Sequence, residues 1–358
     1  MRILHVISST DIGGAEQHVL DLSRIQIATG LAVAVAMPHV GALSDALNAA
    51  GIECFIFGRG GRWNPFTLWR IRRIIQQNKP VLIHAHMPRS AAMVARTNGS
   101  VPWIATAHNI VKSLKPFRTA GYVLCVSQQV RQSLLDCGFP AERCSVVHNA
   151  ITPIECDAAN RARVRAQLAL SDRLIVLCVA RLVPAKGHAF AIEALPQILG
   201  HTPQAQLVLV GAGVLEAELK RLANKLGVAS RVTFLGARQD VPDLLRAADV
   251  YLQPSIKEGF CLAFLEAMSI GLPCVGTRTG AIPEMVRPTQ NGLLIEPANP
   301  SEIAIAVSAL LHNPAKAKAL GLAAKKTARS QFSIERQGRE TLALYDRVLA
   351  STHALSEK

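Results

Sequence analysis

The run Ser255-Ile-Lys-Glu-Gly-Phe-Cys-Leu-Ala-Phe-Leu-Glu-Ala-Met-Ser-Ile-Gly-Leu-Pro273 sets Glu258 before a glycine and Glu266 eight residues later, inside an apolar segment of helical character. A carboxylate within Ala-Phe-Leu-Glu-Ala-Met is costly to bury unless something hydrogen-bonds it. Gly259 puts Glu258 on a loop, and a helix is predicted from Leu262, with Glu266 in its early turns. The amides of Gly259, Phe260, Cys261, Leu262 and Ala263 then point out of the helix N-terminus, a natural seat for phosphate. Two carboxylates beside a phosphate seat suit a ligand with both hydroxyls and phosphate, and a nucleotide sugar is such a ligand.

Outward from this run, short apolar stretches alternate with helical segments along the whole chain. Strands are predicted at 2–7, 31–37, 53–57, 81–85, 102–106, 122–126 and 145–148, and again at 174–179, 206–210, 232–235, 249–253, 273–276 and 293–295. Helices fill most of the intervals, which argues for α/β architecture with parallel sheets covered on both faces. The polar stretch from Glu155 to Gln167 carries Arg161, Arg163 and Arg165, shows no strand signal and reads as a linker. The expected division is a first doubly wound, Rossmann-like domain over 1–160 and a second over 168–332, facing each other across a cleft. Ligands of such sheets bind at the carboxyl ends of strands.

Composition narrows the function classes. The 358 residues are 50% hydrophobic and 18% charged, enough for two sizeable cores. Only 4% are aromatic, and no nucleic-acid module is visible, so no nucleic-acid partner is expected. The net charge of +14 is uneven, +9 over residues 1–165 and +5 over 166–358. The basic first half fits an anionic lipid surface or acceptor, against the plainer reading of solubility charge. None of the eight cysteines forms a Cys-x-x-Cys pair, and several sit in apolar strands such as Val-Leu-Cys-Val at 123–126 and 176–179. Buried thiols in a reducing, cytoplasmic compartment are expected, without zinc. No run of 18 apolar residues suggests a membrane span.

Several further residues bear on chemistry. Gly13-Gly14 follows the first strand and permits close backbone approach, although an ordinary strand–helix turn explains it equally well. Arg181 and Lys186 follow the strand at 174–179, where two cations can neutralise a diphosphate. His108 ends the strand-like run from Trp103, whereas His84 and His86 read as structural or acceptor-side groups because no carboxylate or cysteine is near them in sequence. Residues 59–73 cluster five arginines with Trp63, Phe66 and Trp69. A helix there could lie on anionic lipid, but Leu68, Ile71, Ile74 and Ile75 give it a broad apolar face that favours packing in a core.

The pattern of Glu258 and Glu266 resembles the Glu-seven-residues-Glu motif of retaining glycosyltransferases of family 4. The resemblance extends through Gly13-Gly14-Ala15-Glu16, His84-Ala85-His86, Thr106-Ala107-His108-Asn109 and Val147-His148-Asn149-Ala150. It continues through Ala180-Arg181-Leu182-Val183-Pro184-Ala185-Lys186-Gly187, Val210-Gly211-Ala212-Gly213, Ala281-Ile282-Pro283-Glu284 and Asn291-Gly292-Leu293-Leu294. It implies a GT-B fold, with a last helix over 333–350 crossing back to the first domain.

The resemblance further implies transfer of a sugar from a nucleoside diphosphate sugar to a glycan or lipid-linked acceptor, as in lipopolysaccharide or other surface polysaccharide synthesis. Arg181 and Lys186 would hold the diphosphate, Glu258 the sugar hydroxyls, and Glu266 the ribose diol. Gly14, Gly211 and Gly213 would line the donor, and His108 would lie near the transferred sugar. The amides of 259–261 would add sugar contacts, and those of 262 and 263 phosphate contacts. Cys261 departs from the glycine often found at its place, but its amide is retained. No metal or other cofactor is expected, since the chain has no Asp-x-Asp sequence. The protein would be cytoplasmic, or peripheral on the cytoplasmic face of the inner membrane. A sugar epimerase or hydrolase on the same architecture, or an inert nucleotide-sugar-binding protein, are the alternatives. Retention of Arg181, Lys186, Glu258 and Glu266 together argues against the inert protein.

Overall fold

The computed structural model describes residues 1–152 and 158–356. It divides into two compact units, the first comprising Met1–Ala150 with the segment from Ile334 onward and the second Ile151–Ser333.

The first unit is built on strands β1 (Arg2–Ile7), β2 (Ala32–Met37), β3 (Glu53–Ile56), β4 (Leu82–His86), β5 (Trp103–Ala107), β6 (Tyr122–Cys125) and β7 (Cys144–Val146). They form one sheet in the order β3-β2-β1-β4-β5-β6-β7, every neighbouring pair parallel. Runs such as Ala-Val-Ala-Val-Ala-Met in β2 are buried on both faces, as helix-covered parallel strands require. The crossovers carry α1 (Gly14–Ala28), α2 (Ala42–Ala49), α3 (Pro65–Asn78), α4 (Met87–Thr97) and α5 (Gln128–Asp136). Sequence capping explains several starts: the Asn64 side chain accepts from the Thr67 amide at 3.0 Å and Ser127 from the Val130 amide at 3.2 Å.

The second unit contains α6 (Ala158–Gln167), β8 (Leu174–Val179), α7 (His188–His201), β9 (Ala205–Val210), α8 (Glu216–Lys225), β10 (Val232–Phe234), α9 (Val241–Ala247) and β11 (Val250–Gln253). It continues with α10 (Leu262–Ile270), β12 (Cys274–Thr277), α11 (Ile282–Met285), β13 (Leu293–Ile295), α12 (Pro300–Leu311) and α13 (Pro314–Gln331). The sheet order is β10-β9-β8-β11-β12-β13, again parallel throughout. The order reverses between β8 and β11, as it does between β1 and β4 in the first sheet. Crevices at the carboxyl ends of strands flanking such a reversal are the ligand sites of open α/β sheets.

Two expectations need correction. Of the presumed linker 155–167, residues 155–157 lie outside the described residues, and the rest is the helix α6. Arg161 donates to the Arg246 and Ala248 carbonyls at 2.8 and 2.7 Å and to Asp249 Oδ1 at 2.6 Å. Arg165 joins the same carboxylate at 3.2 Å. These arginines satisfy the carbonyls and negative end of α9, so they are docking groups rather than solvated linker charge. The first unit accordingly ends at Ala150 rather than 160.

The final helix, α14 (Ile334–Ser356), lies with the first unit. Its Leu344, Tyr345 and Val348 share a core with Ile3, Leu82, Ile104, Tyr122, Leu124 and Val147. The seven described cysteines are all free thiols, and Cys156 lies outside the described residues.

Candidate active site

In the second unit the chain leaving β8 turns sharply, and the next βα loop lies against it backbone to backbone. The Ala180 amide donates to Val210 O at 2.9 Å and Leu182 to Ala212 O at 3.0 Å. A Cβ on Gly211 would come within 2.1 Å of Ala180 O, and one on Gly213 within 2.3 Å of Leu182 O. These two glycines therefore let the loops touch, which holds the buried Leu182 inward and leaves Arg181 exposed. Lys186 ends a tight turn over Pro184–Lys186. The amides of Ile256 and Lys257 donate to Ala185 O at 2.9 and 3.1 Å, fastening the loop after β11 to that turn.

This fastening brings Lys186 to Glu258. The ammonium Nζ lies 2.8 and 2.6 Å from the two carboxylate oxygens. The side chains are 18% and 7% exposed, so water screens the pair little. Burial opposes the lysine's charge, but the Glu258 carboxylate outweighs it and raises the ammonium above its ordinary value. Arg181 is near enough to oppose that charge slightly.

A row of side chains on one face of β11 orients the carboxylate. Tyr251 OH donates to Gln253 Oε1 at 2.8 Å, Gln253 Nε2 to Ser255 Oγ at 2.8 Å, and Ser255 Oγ to Glu258 Oε2 at 3.1 Å. Thr277 Oγ1 donates to Ser255 O at 2.6 Å and anchors the row to β12. Tyr251, Gln253 and Ser255 had not been singled out from the sequence. Their signal was three polar groups at two-residue spacing in and just beyond a buried strand, ending beside Glu258.

The helix α10 starts at Leu262, with Cys261 giving no side-chain cap. Phe260 and Cys261 are buried, while Leu262, Ala263 and Glu266 are half-buried. Burial pushes the Cys261 thiol up, so it stays protonated and unreactive at neutral pH. Gly259 lends its carbonyl to the Ala281 amide at 3.1 Å, tying the loop to the segment before α11.

Of the expected site residues, Gly14 and His108 belong to the first unit and the others to the second. Gly14 opens α1, where the preceding Gly13 amide donates to Glu16 at 3.1 Å. His108 stands just past β5, 7% exposed, in a cluster with His5, His18, His84 and His86. His84 is a structural residue, between Tyr345 OH and Thr106 Oγ1 at 2.7 Å each. Burial lowers all five imidazoles, His5 and His18 to about 4, so they are neutral at pH 7. Linear spacing concealed this cluster, because β1 and β4 place His5 opposite His84 across 79 residues of sequence.

Residues 160–327 match the family model of Glycosyl transferases group 1, and residues 12–154 that of Glycosyltransferase Family 4. A GDP-mannose-dependent alpha-(1-6)-phosphatidylinositol monomannoside mannosyltransferase of Mycolicibacterium smegmatis is 34% identical over 191 residues, 51% of this chain and 50% of that protein. In that match the chain spans about half the length of the relative. A D-inositol 3-phosphate glycosyltransferase of Corynebacterium jeikeium is 30% identical over 76% of this chain and 73% of its own length. Among solved structures, Anabaena Alr3699/HepE in complex with UDP-glucose superimposes with a TM-score of 0.88 at 24% identity, covering 97% of this chain and 100% of that one.

Proposed function

The chain belongs to the group 1, family 4 glycosyltransferases and has the GT-B fold, and from that premise we propose that it transfers a sugar, with retention, from a nucleoside diphosphate sugar to an acceptor hydroxyl. One observation carries the reading: the buried Lys186–Glu258 pair stands where the sheet order reverses, next to the start of α10. The donor's anomeric C–O bond breaks and its electron pair goes to the diphosphate. Arg181, Lys186 and the amide end of α10 neutralise that charge where it develops. The acceptor oxygen bonds to the anomeric carbon on the same face, and its proton passes to the departing phosphate oxygen. Glu258, held by Ser255, receives the hydroxyls of the transferred sugar, and Glu266 receives the ribose diol. The cations supply what a metal would supply, so transfer is not lost in excess EDTA.

The relatives differ in nucleotide: the mycobacterial enzyme is named for GDP-mannose and the Anabaena structure holds UDP-glucose. Thermal shifts with UDP, GDP and their sugars choose between them, since a ligand at 100 times its dissociation constant stabilises the fold by about 2.7 kcal/mol. With the preferred nucleotide, Glu266→Ala is expected to cost about 1.5–3 kcal/mol of affinity. Glu258→Ala is expected to keep nucleotide affinity and lose transfer. Equal affinity losses in both variants would contradict the assignment, as would release of free sugar or an epimer from donor alone in place of transfer.

The acceptor reading is a lipid-linked or surface glycan, such as lipopolysaccharide, met on an anionic membrane at the cytoplasmic face. Its support is α3 and the turn before it. The helix buries Ile71, Ile74 and Ile75 in the core, yet leaves Trp63, Phe66 and Trp69 68%, 76% and 57% exposed. The sequence expectation of a core helix thus describes only one of its faces. Arg96 lies 4.0 Å over the Trp63 ring and Arg73 5.6 Å over Trp69, mixing cations with insertable rings. Among the described residues no helix is long and apolar enough to cross a membrane. Sedimentation with phosphatidylglycerol vesicles should capture the chain, with loss at high salt. Trp63→Ala with Trp69→Ala should cut partitioning at least tenfold; unchanged binding would exclude this face.

A further inference from the structure

The histidine cluster in the first unit leaves one buried lone pair without a partner and holds another only in a long contact. Gln26 directs its amide nitrogen to Tyr345 OH at 2.9 Å and its oxygen to His5 Nε2 at 2.7 Å. His5 therefore carries its proton on Nε2, and its Nδ1 accepts from Nε2 of His86 at 2.9 Å. That leaves the His86 Nδ1 lone pair facing His108 Nε2 at 3.4 Å. Two nitrogens on one tetrahedral zinc ion, each 2.0–2.1 Å from it, stand about 3.3 Å apart.

His18 completes the set from α1. Its Nδ1 lies 2.8 Å from Asn149 Oδ1 and 3.1 Å from Gln337 Nε2. The shorter contact assigns the proton to Nδ1, leaving the lone pair on Nε2. That Nε2 is buried, with no hydrogen-bond partner among the described residues. The His18 and His108 rings meet edge to face at 4.9 Å, and one nitrogen from each of His18, His86 and His108 falls within a 4.8 Å set. A buried acceptor without a partner is costly, and a cation bound by His18 Nε2 together with the loosely paired His86 Nδ1 and His108 Nε2 removes that cost at His18.

We propose that His18, His86 and His108 form a site for a divalent transition-metal ion of the zinc type. All-imidazole ligation suits that class, and three protein ligands leave a fourth position for water. Asn149, through His18 Nδ1, and His5, through His86 Nε2, are outer partners that fix ring orientation. The 5% and 7% exposure of His18 and His108, against none for His86, puts the entry on their side. The ion competes for His108 with the sugar contact that the family resemblance implies. It supplies no bond or charge to the transfer proposed above, so the test reads the ion and not activity.

The full chain, stripped with chelator, is titrated with cobalt(II) chloride. Expected is a visible ligand-field absorption of four-coordinate cobalt, saturating at one equivalent and bleached by added zinc. His18→Ala should weaken cobalt binding about 100-fold or more. Asn149→Ala keeps all three ligands and should weaken it about 10-fold. His312→Ala, on the exposed surface of the other unit, should leave it unchanged. Circular dichroism establishes that each variant is folded, and a variant that unfolds is replaced by His86→Gln. Absence of the band at saturating cobalt in the parent chain overturns the proposal. So does parental affinity in a folded His18 or His86 variant, or loss of binding in His312→Ala.

Discussion

Lys186→Ala is expected to lower sugar transfer by about 10²–10³-fold, the loss seen when one preorganised group at a developing negative charge is removed. The same change strips a buried carboxylate of its partner. Breaking such a pair costs about 3–5 kcal/mol, and the 18% exposure of Lys186 places the cost toward the lower end. The two effects are separable. In Lys186→Ala with Glu258→Gln the uncompensated charge is gone, and the carboxamide oxygen can still accept from Ser255. The double variant should regain most of the lost stability while transfer stays well below that of Glu258→Gln alone. If the double variant transferred as fast as Glu258→Gln alone, Lys186 would be a structural cation and the account of the leaving group would be wrong.

Gly187→Ala should be the most damaging of the small substitutions near the pair. Gly187 has φ +68°, and so has Gly227 at the end of α8. At Gly227 an added Cβ meets nothing within 4 Å, so alanine there costs about 1–2 kcal/mol of left-handed backbone strain. At Gly187 the same Cβ would lie 1.9 Å from Pro254 O. That carbonyl cannot retreat without dragging the loop that carries Glu258, so about 1–3 kcal/mol of overpacking adds to the strain. Displacing Lys186 from Glu258 by 1 Å would also cost transfer about 10²-fold. Urea midpoints at constant m-value, with transfer rates, measure both effects. Equal midpoint shifts in the two variants would remove the close contact from the argument.

The parallel sheets could be read in advance because their central strands are buried on both faces and many are bounded by glycine, proline and capping residues. Gly30 before β2 and Asn64-Pro65 before α3 are examples. What escaped was whatever depends on a partner far along the chain. Arg161 and Arg165 look like linker charges until Asp249 and the carbonyls ending α9 are brought to them. Lys186 and Glu258 were each expected to meet a ligand, and in the structure they meet one another. The histidines of β1 and β4 needed strand register to become a cluster. On α3 the sequence offered two competing faces, Ile71, Ile74 and Ile75 against Phe66, Trp69 and Arg73, and the fold buries the first and leaves the second exposed.

The return of α14 to the first unit imposes an order on synthesis. Tyr345 closes the hydrogen bonds of Gln26 and His84, and with Leu344 and Val348 it seals the core over β4, β5 and β6. Those residues leave the ribosome only after the whole of 151–333. At roughly 5–20 residues per second that is a wait of about ten to forty seconds. During it, Leu82, Ile104 and Tyr122 lack their cover, while the later unit can finish its own sheet. The domain begun first is thus the one completed last, and a nascent chain stalled before Ile334 would present the quality-control machinery with an open apolar seam.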